Sequence, residues 1–191
     1  HEDPYYGVYY LRANLRHIWL KDTRIRQALS WTVDRDAIAE HVGGGVRPAF
    51  HFVPPTPRYA VIDHLLGFHP ERARILMKEV DPRPLRRALV LSVDAQPNHR
   101  AVAELLIAGW KKHLGLDVSL DMRPWPEHIK HMQGGTYHLG RSGWIGDYRD
   151  PLTFLALWDE GSVHNMTAWA DREYAGWVAR ARRASRPETR F

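Results

Sequence analysis

The 191-residue chain contains no cysteine, which excludes disulfide staples, thiolate nucleophiles and zinc sites built on sulfur. No stretch approaches the ~20 consecutive apolar residues that a membrane-spanning helix needs. The first residues, His1-Glu2-Asp3-Pro4, lack the basic, apolar and small-residue succession of a secretory leader. Low-complexity tracts are absent and charges of both signs are mixed along most of the sequence, so extended disorder is not expected. What is present, 44% apolar and 11% aromatic residues, is enough for one compact core.

Lysine and arginine outnumber the acids, giving a formal charge of +5 and a pI near 9.6. A basic balance suits phosphate binding when it is clustered. Here the densest runs, Arg83 to Arg87 and Arg180 to Arg186, are short and lie in no recognisable nucleic-acid motif. No nucleic-acid partner is expected.

Hydrophobic periodicity predicts an α/β chain. A strand is expected between Tyr5 and Leu15, a helix capped by Asp22 with Ile25, Ala28 and Leu29 inward, and a second helix opened by Asp34 and stopped at Gly43-Gly44-Gly45. Pro48, Pro54, Pro55 and Pro57 force the stretch from Val46 to Tyr59 into an extended loop. Helices follow from Pro70 to about Val80, from an Asn98 cap through Trp110 to Gly115, and around His128 to Met132. Strands are expected at Leu89 to Val93, Leu116 to Met122 and Tyr137 to Trp144. Strand, helix, strand in succession predicts a right-handed crossover. A helix after Asp150-Pro151 and a last one from Asp171, with Tyr174, Trp177 and Val178 inward, complete the set.

Twelve histidines make metal binding the first chemistry to test. His128 and His131 share one helical face at i and i+3, but two ligands are too few for a zinc site and no carboxylate at ligand spacing joins them. They read as solvated residues. The serines lack a Gly-x-Ser-x-Gly elbow, and Gly143-Trp144-Ile145-Gly146 has no phosphate-loop lysine. The most informative segment is Gly140 to Pro151, which runs off a predicted strand, where ligand sites of open α/β sheets lie. Its glycines admit a close backbone, Trp144 supplies an apolar wall and Asp147 a negative charge that could meet a cation. Local physics leaves a second reading open, a tight turn whose aspartate caps the next helix.

The segment Gly143-Trp-Ile-Gly-Asp147-Tyr resembles the Gly-Trp-x-x-Asp-Tyr signature of the oligopeptide-binding family, the extracytoplasmic solute receptors of ABC importers. Further similarities follow the family's order. Asp22-Thr-Arg-Ile-Arg-Gln-Ala-Leu with Asp34-Arg35 resembles its Asp-x-Arg-Val-Arg-x-Ala-Leu and Asp-Arg pair. Pro48-Ala49 with Pro54-Pro55 resembles its proline loop, and Trp110-Lys-Lys with Leu114-Gly-Leu-Asp-Val118 its helix-to-strand step.

The resemblance implies one lobe of a type 2-like periplasmic-binding-protein fold, a mixed sheet flanked by helices, with residues 1–191 a fragment of a larger two-lobed protein whose N-terminal lobe and signal sequence lie elsewhere. It implies a periplasmic, non-enzymatic receptor without cofactor or metal, whose partners are a peptide ligand, the opposite lobe, and ABC permease and ATPase subunits. Carried over by position, Asp147 pairs with a peptide's α-ammonium and the backbones of Gly143 and Ile145 pair with the peptide. Trp144 and Trp125 wall side-chain pockets, and Arg141 meets a ligand carboxylate or steadies Asp147. Against these stand plainer roles: Trp125 as core and Arg141 as a structural ion pair. Trp31, Trp158, Trp169 and Trp177 read as packing, and Asp22-Arg24 and Asp34-Arg35 as caps and surface pairs. Two rival functions remain, a non-peptide ligand such as a nickel chelate, haem, sugar or opine, and a histidine-based metal-dependent enzyme.

Overall fold

In a computed structural model of the chain, the described residues are 5–56, 59, 66–80, 89–184 and 186. Pro57 of the expected loop and the basic run Arg83 to Arg87 lie outside them. Four strands form one mixed sheet in the order β1-β4-β2-β3. β2 (Leu89–Asp94) runs parallel to β3 (Val118–Arg123) and to β4 (Leu139–Ile145), while β1 (Gly7–Ala13) pairs antiparallel with β4. The expected crossover is β2, α4 (Pro97–Leu114), β3.

The caps follow the sequence. Asp22 accepts from the Arg24 amide at 2.9 Å to open α1 (Thr23–Trp31) and pairs with the Arg24 side chain at 2.7 Å. Asp34 opens α2 (Arg35–Val42) through the Ala37 amide, whereas the Arg35 guanidinium turns away to the carbonyls of Ser30, Val33 and Leu66. α3 (Pro70–Lys78) and α4 both begin on a proline, whose missing amide costs nothing in a first turn. That proline moves the start of α4 ahead of the expected Asn98 cap, to Gln96. Gly115 ends α4 at φ 67°, the left-handed region that glycine enters without a steric penalty. From Val46 through Thr56 the loop carries neither helix nor strand.

Alternation along β2 sorts two environments. Leu89, Leu91 and Val93 pack against Val102, Ala103, Leu106 and Trp110 of α4 and against Ile25 and Leu29 of α1. The opposite face carries buried Ser92 and Asp94, and the Ser92 hydroxyl donates to Asp121 at 3.1 Å. α5 (Trp125–Gln133) starts three residues before the expected His128. It packs its Met132 where a side chain at Gly140 would stand, a Cβ there lying 2.3 Å from the sulfur.

α6 (Leu152–Leu155), a 3-10 turn at Ala156–Trp158 and α7 (Arg172–Arg183) close the described fold. On α7, Val178 is buried but Trp177, expected inward, is 58% exposed. Adjacent helical residues point about 100° apart, and on α7 the one that turns to the core is Val178. The Arg180 guanidinium instead covers the indole at 3.7 Å.

Candidate functional site

The carboxyl end of the parallel strands is where the sheet opens. Bonds from Asn14 N to His138 O (2.9 Å) and from Gly146 N to Tyr6 O (2.8 Å) bracket the β1–β4 ladder. Antiparallel alternation between them turns the backbone groups of even-numbered β4 residues toward β1 and those of Leu139, Arg141, Gly143 and Ile145 away from it. On that far side β2 pairs at Leu139 and Gly140 and goes no further. His128 Nε2 lies 3.0 Å from the Arg141 carbonyl and takes it up. The amides and carbonyls of Gly143 and Ile145 thus face a gap that β2 does not fill.

Beyond β4, the chain bends and presents Asp147 as an exposed residue. It does not cap α6. Asp150 accepts from the Leu152 amide at 2.9 Å and performs that turn. The buried Thr153 hydroxyl holds Asp147 instead, accepting from its amide at 3.1 Å and donating to its carboxylate at 3.3 Å. Trp144 Nε1 reaches the same hydroxyl at 3.3 Å, and its ring meets His164 edge-on at 4.9 Å. One threonine therefore fixes both the charge and the wall. Strand alternation places Trp144 on the sheet face opposite Gly143 and Ile145, so groups flank the gap from above and below.

Arg141 does not reach toward Asp147. Its guanidinium pairs with Asp94, at the end of β2, at 3.2 Å, and stacks over the Tyr9 ring at 5.0 Å. His99, in the first turn of α4, brings Nδ1 to 2.9 Å from the same Asp94 oxygen, off the axis of a good hydrogen bond. Burial and the neighbouring Arg141 hold the His99 pKa below its usual value, against the pull of Asp94. Burial, more than the opposing Arg141 charge, drives the Tyr9 hydroxyl up to about 12. Trp125 is 52% exposed at the start of α5 and is not core. Ile145 (61%) and Tyr148 are exposed at the same end of the sheet.

One expectation about the histidines fails. His128 is buried rather than solvated, because α5 turns it under β4, and His131 lies beside Thr136 and 3.8 Å from Asp121. Among the described residues no cluster of three or more His, Asp or Glu could hold a metal ion. Burial lowers the pKa of His17, His99, His113, His131 and His138. With the folded values depressed, the unfolded chain takes up protons first as pH falls through about 6.5, so stability present above that pH drains away below it. The thermal midpoint of the full-length protein is expected to be lower at pH 5 than at pH 7. A midpoint that rises on acidification would contradict the burial of these rings.

Sequence reasoning missed Thr153, Asp94, His99, Tyr9 and His164. Thr153 had a usable signal, a hydroxyl inside the apolar run Leu152-Thr-Phe-Leu155. Asp94 and His99 had none, since strand end and helix start meet Arg141 only through the sheet order.

With this geometry in place, comparison with solved structures shows where the fold belongs. The Escherichia coli murein tripeptide binding protein MppA superposes over 98% of this chain with a TM-score of 0.85 at 31% identity. A periplasmic oligopeptide-binding protein of Borrelia burgdorferi superposes over 96% with a TM-score of 0.87 at 25% identity. In each case the chain covers 38% of the other protein. The fold is therefore the α/β type 2 fold of periplasmic peptide-binding proteins. By sequence, the oligopeptide-binding protein OppA of Bacillus subtilis is 32% identical over 186 residues, spanning 91% of this chain and 34% of the relative. The periplasmic murein peptide-binding protein MppA of Escherichia coli is 32% identical over 196 residues. The chain belongs to the bacterial extracellular solute-binding proteins, family 5, whose middle region matches residues 1–165. It spans about a third of the length of these curated relatives.

Proposed function

We propose that the complete protein is the extracytoplasmic substrate-binding component of an ABC peptide importer, and that this chain supplies one side of its peptide site. The peptide lies along the open side of β4 as an added strand in a cleft between two lobes. The backbones of Gly143 and Ile145 pair with it, Trp144 and Trp125 flank its side chains, and Asp147 receives its α-ammonium. Its partners are then the opposite lobe and the permease with its ATPases, and no catalytic step or cofactor enters.

One observation carries this reading. Backbone groups of Gly143 and Ile145 face a gap in the sheet, and the strand bearing them leads to an exposed carboxylate steadied by Thr153. Strand addition takes affinity from main-chain bonds and so tolerates varied side chains. A carboxylate at the end of such a track recognises the one cation that every unmodified peptide carries.

Calorimetry on the full-length protein with short peptides, free or acetylated at the amino terminus, tests it. Acetylation removes the cation and leaves the remaining backbone, so affinity is expected to fall by about tenfold or more. Equal affinity for the two forms would sink the ammonium contact.

A further inference from the structure

The proposed ligand track ends at one side on Asp147 and passes, at the other, the Arg141 guanidinium. Asp147 and Arg141 are six residues apart, on the order of 20 Å along an extended strand. A ligand whose amino end sits at Asp147 and which runs antiparallel to β4 brings its last residue to Arg141 after about four to six residues. A free arginine there would capture the terminal carboxylate and select one peptide length. In this chain the arginine is not free. Asp94 is buried, its carboxylate is 3.2 Å from Arg141 Nη1, and the same oxygen lies 2.9 Å from His99 Nδ1. A face of the Arg141 guanidinium stacks on Tyr9, and its Nε is buried without a hydrogen-bond partner.

Charge arithmetic decides what that cluster offers a ligand. One guanidinium and one carboxylate cancel, and the depressed pKa of His99 keeps the imidazole neutral at neutral pH. A ligand carboxylate approaching Arg141 would meet Asp94 at close range, and like charges a few ångströms apart in a cleft repel by as much as the arginine attracts. Displacing Asp94 would strand a buried, unpaired carboxylate, a larger cost than the new pair returns.

We infer that Asp94 is a specificity-determining residue that masks Arg141, so that the protein reads a peptide's amino end and is indifferent to the charge at its carboxyl end. The inference rests on the peptide reading above and adds what that site does not recognise. With Arg141 masked, β4 offers no charged anchor on this side of the cleft that fixes where the ligand must stop, which favours tolerance of peptide length.

The test uses the full-length protein with tetra-, penta- and hexa-alanine, each as the free acid and as the carboxyl-terminal amide. Wild-type affinities for acid and amide are expected to agree within about threefold at every length. Asp94→Asn, which keeps the shape and removes the charge, is expected to prefer the acid by about tenfold or more at the length that reaches Arg141. Adding Arg141→Gln to Asp94→Asn should abolish that gain. A wild-type preference of about tenfold for the acid at any of these lengths overturns the inference, as does a folded Asp94→Asn protein with no gained preference. If Asp94→Asn does not fold, the wild-type comparison decides alone. Amidation and acetylation are separate readouts, so masking can fail while the amino-end contact stands, and the reverse. Failure of every alanine peptide to bind would overturn both.

Discussion

Asp147→Ala in the full-length protein is expected to weaken binding of short peptides with a free amino terminus by roughly 10- to 150-fold, the equivalent of about 1.5 to 3 kcal/mol for a charge-assisted hydrogen bond. The upper end applies if lobe closure removes water from the pair, because the same charges attract more strongly in a drier cleft. Stability should change little. Asp147 is exposed, and the substitution removes a single 3.3 Å bond from Thr153, whose hydroxyl still accepts from the backbone at position 147. Asp147→Asn separates charge from shape, since an amide can keep the Thr153 bond but cannot neutralise an ammonium. Acetylated peptides provide the control that closes the cycle, as they lack the ammonium proposed to pair with Asp147 and should bind wild type and Asp147→Ala alike. Equal losses for free and acetylated peptides would mean that the substitution disturbs the bend after β4 and that the ammonium goes elsewhere.

Those elements of the fold that were legible from the sequence were the ones set by local rules. Asp22 and Asp34 announce their helices because a carboxylate just before an amphipathic run satisfies first-turn amides, and both do so here. Leu89 to Val93 reads as a strand in any context, and Gly115 stops α4 by its backbone freedom. Boundaries failed where proline competes with a side-chain cap. Pro97 starts α4 ahead of Asn98, and Pro124 with Pro126 pulls α5 back to Trp125. Facing failed at Trp177, where helical spacing puts two neighbouring apolar residues on one stripe and only Val178 meets the core.

The candidate site divides along the same line. Gly143, Ile145 and Asp147 lie on one continuous segment, so a sequence reading could place them together. The partner of Arg141 could not be read this way, because β4 follows β3 in the chain but lies beside β2 in the sheet. That order brings residue 141 to residues 94 and 99. His128 failed for a related reason. Helical spacing correctly put it on the face shared with His131, but whether that face met solvent or β4 depended on the crossover.

The largest expected effect on stability belongs to Trp110→Ala. The indole is 1% exposed, lies within the cluster of Leu89, Leu91, Val93, Val102 and Leu106, and donates from Nε1 to the Leu29 carbonyl at 3.0 Å. It thus joins α4 to β2 by packing and to α1 by a buried bond. Truncation to alanine leaves a cavity that a well-packed interior fills incompletely, at a cost of about 3 to 5 kcal/mol. Part of that cost is the bond to the Leu29 carbonyl, which keeps the Thr32 hydroxyl at 3.1 Å as its second donor. Trp110→Phe isolates this part, because it keeps most of the ring volume and loses the N–H, and should cost about 0.5 to 1.5 kcal/mol. Urea unfolding of the full-length protein, followed through the transition in which this region unfolds, should rank wild type above Trp110→Phe and Trp110→Ala last. Peptide affinity in the folded proteins should be preserved, since Trp110 packs on the apolar face of β2 while Asp94 and Ser92 occupy the other. A loss below about 1 kcal/mol for Trp110→Ala would contradict the packing of α4 on the sheet, because few surroundings can absorb an indole-sized hole so cheaply.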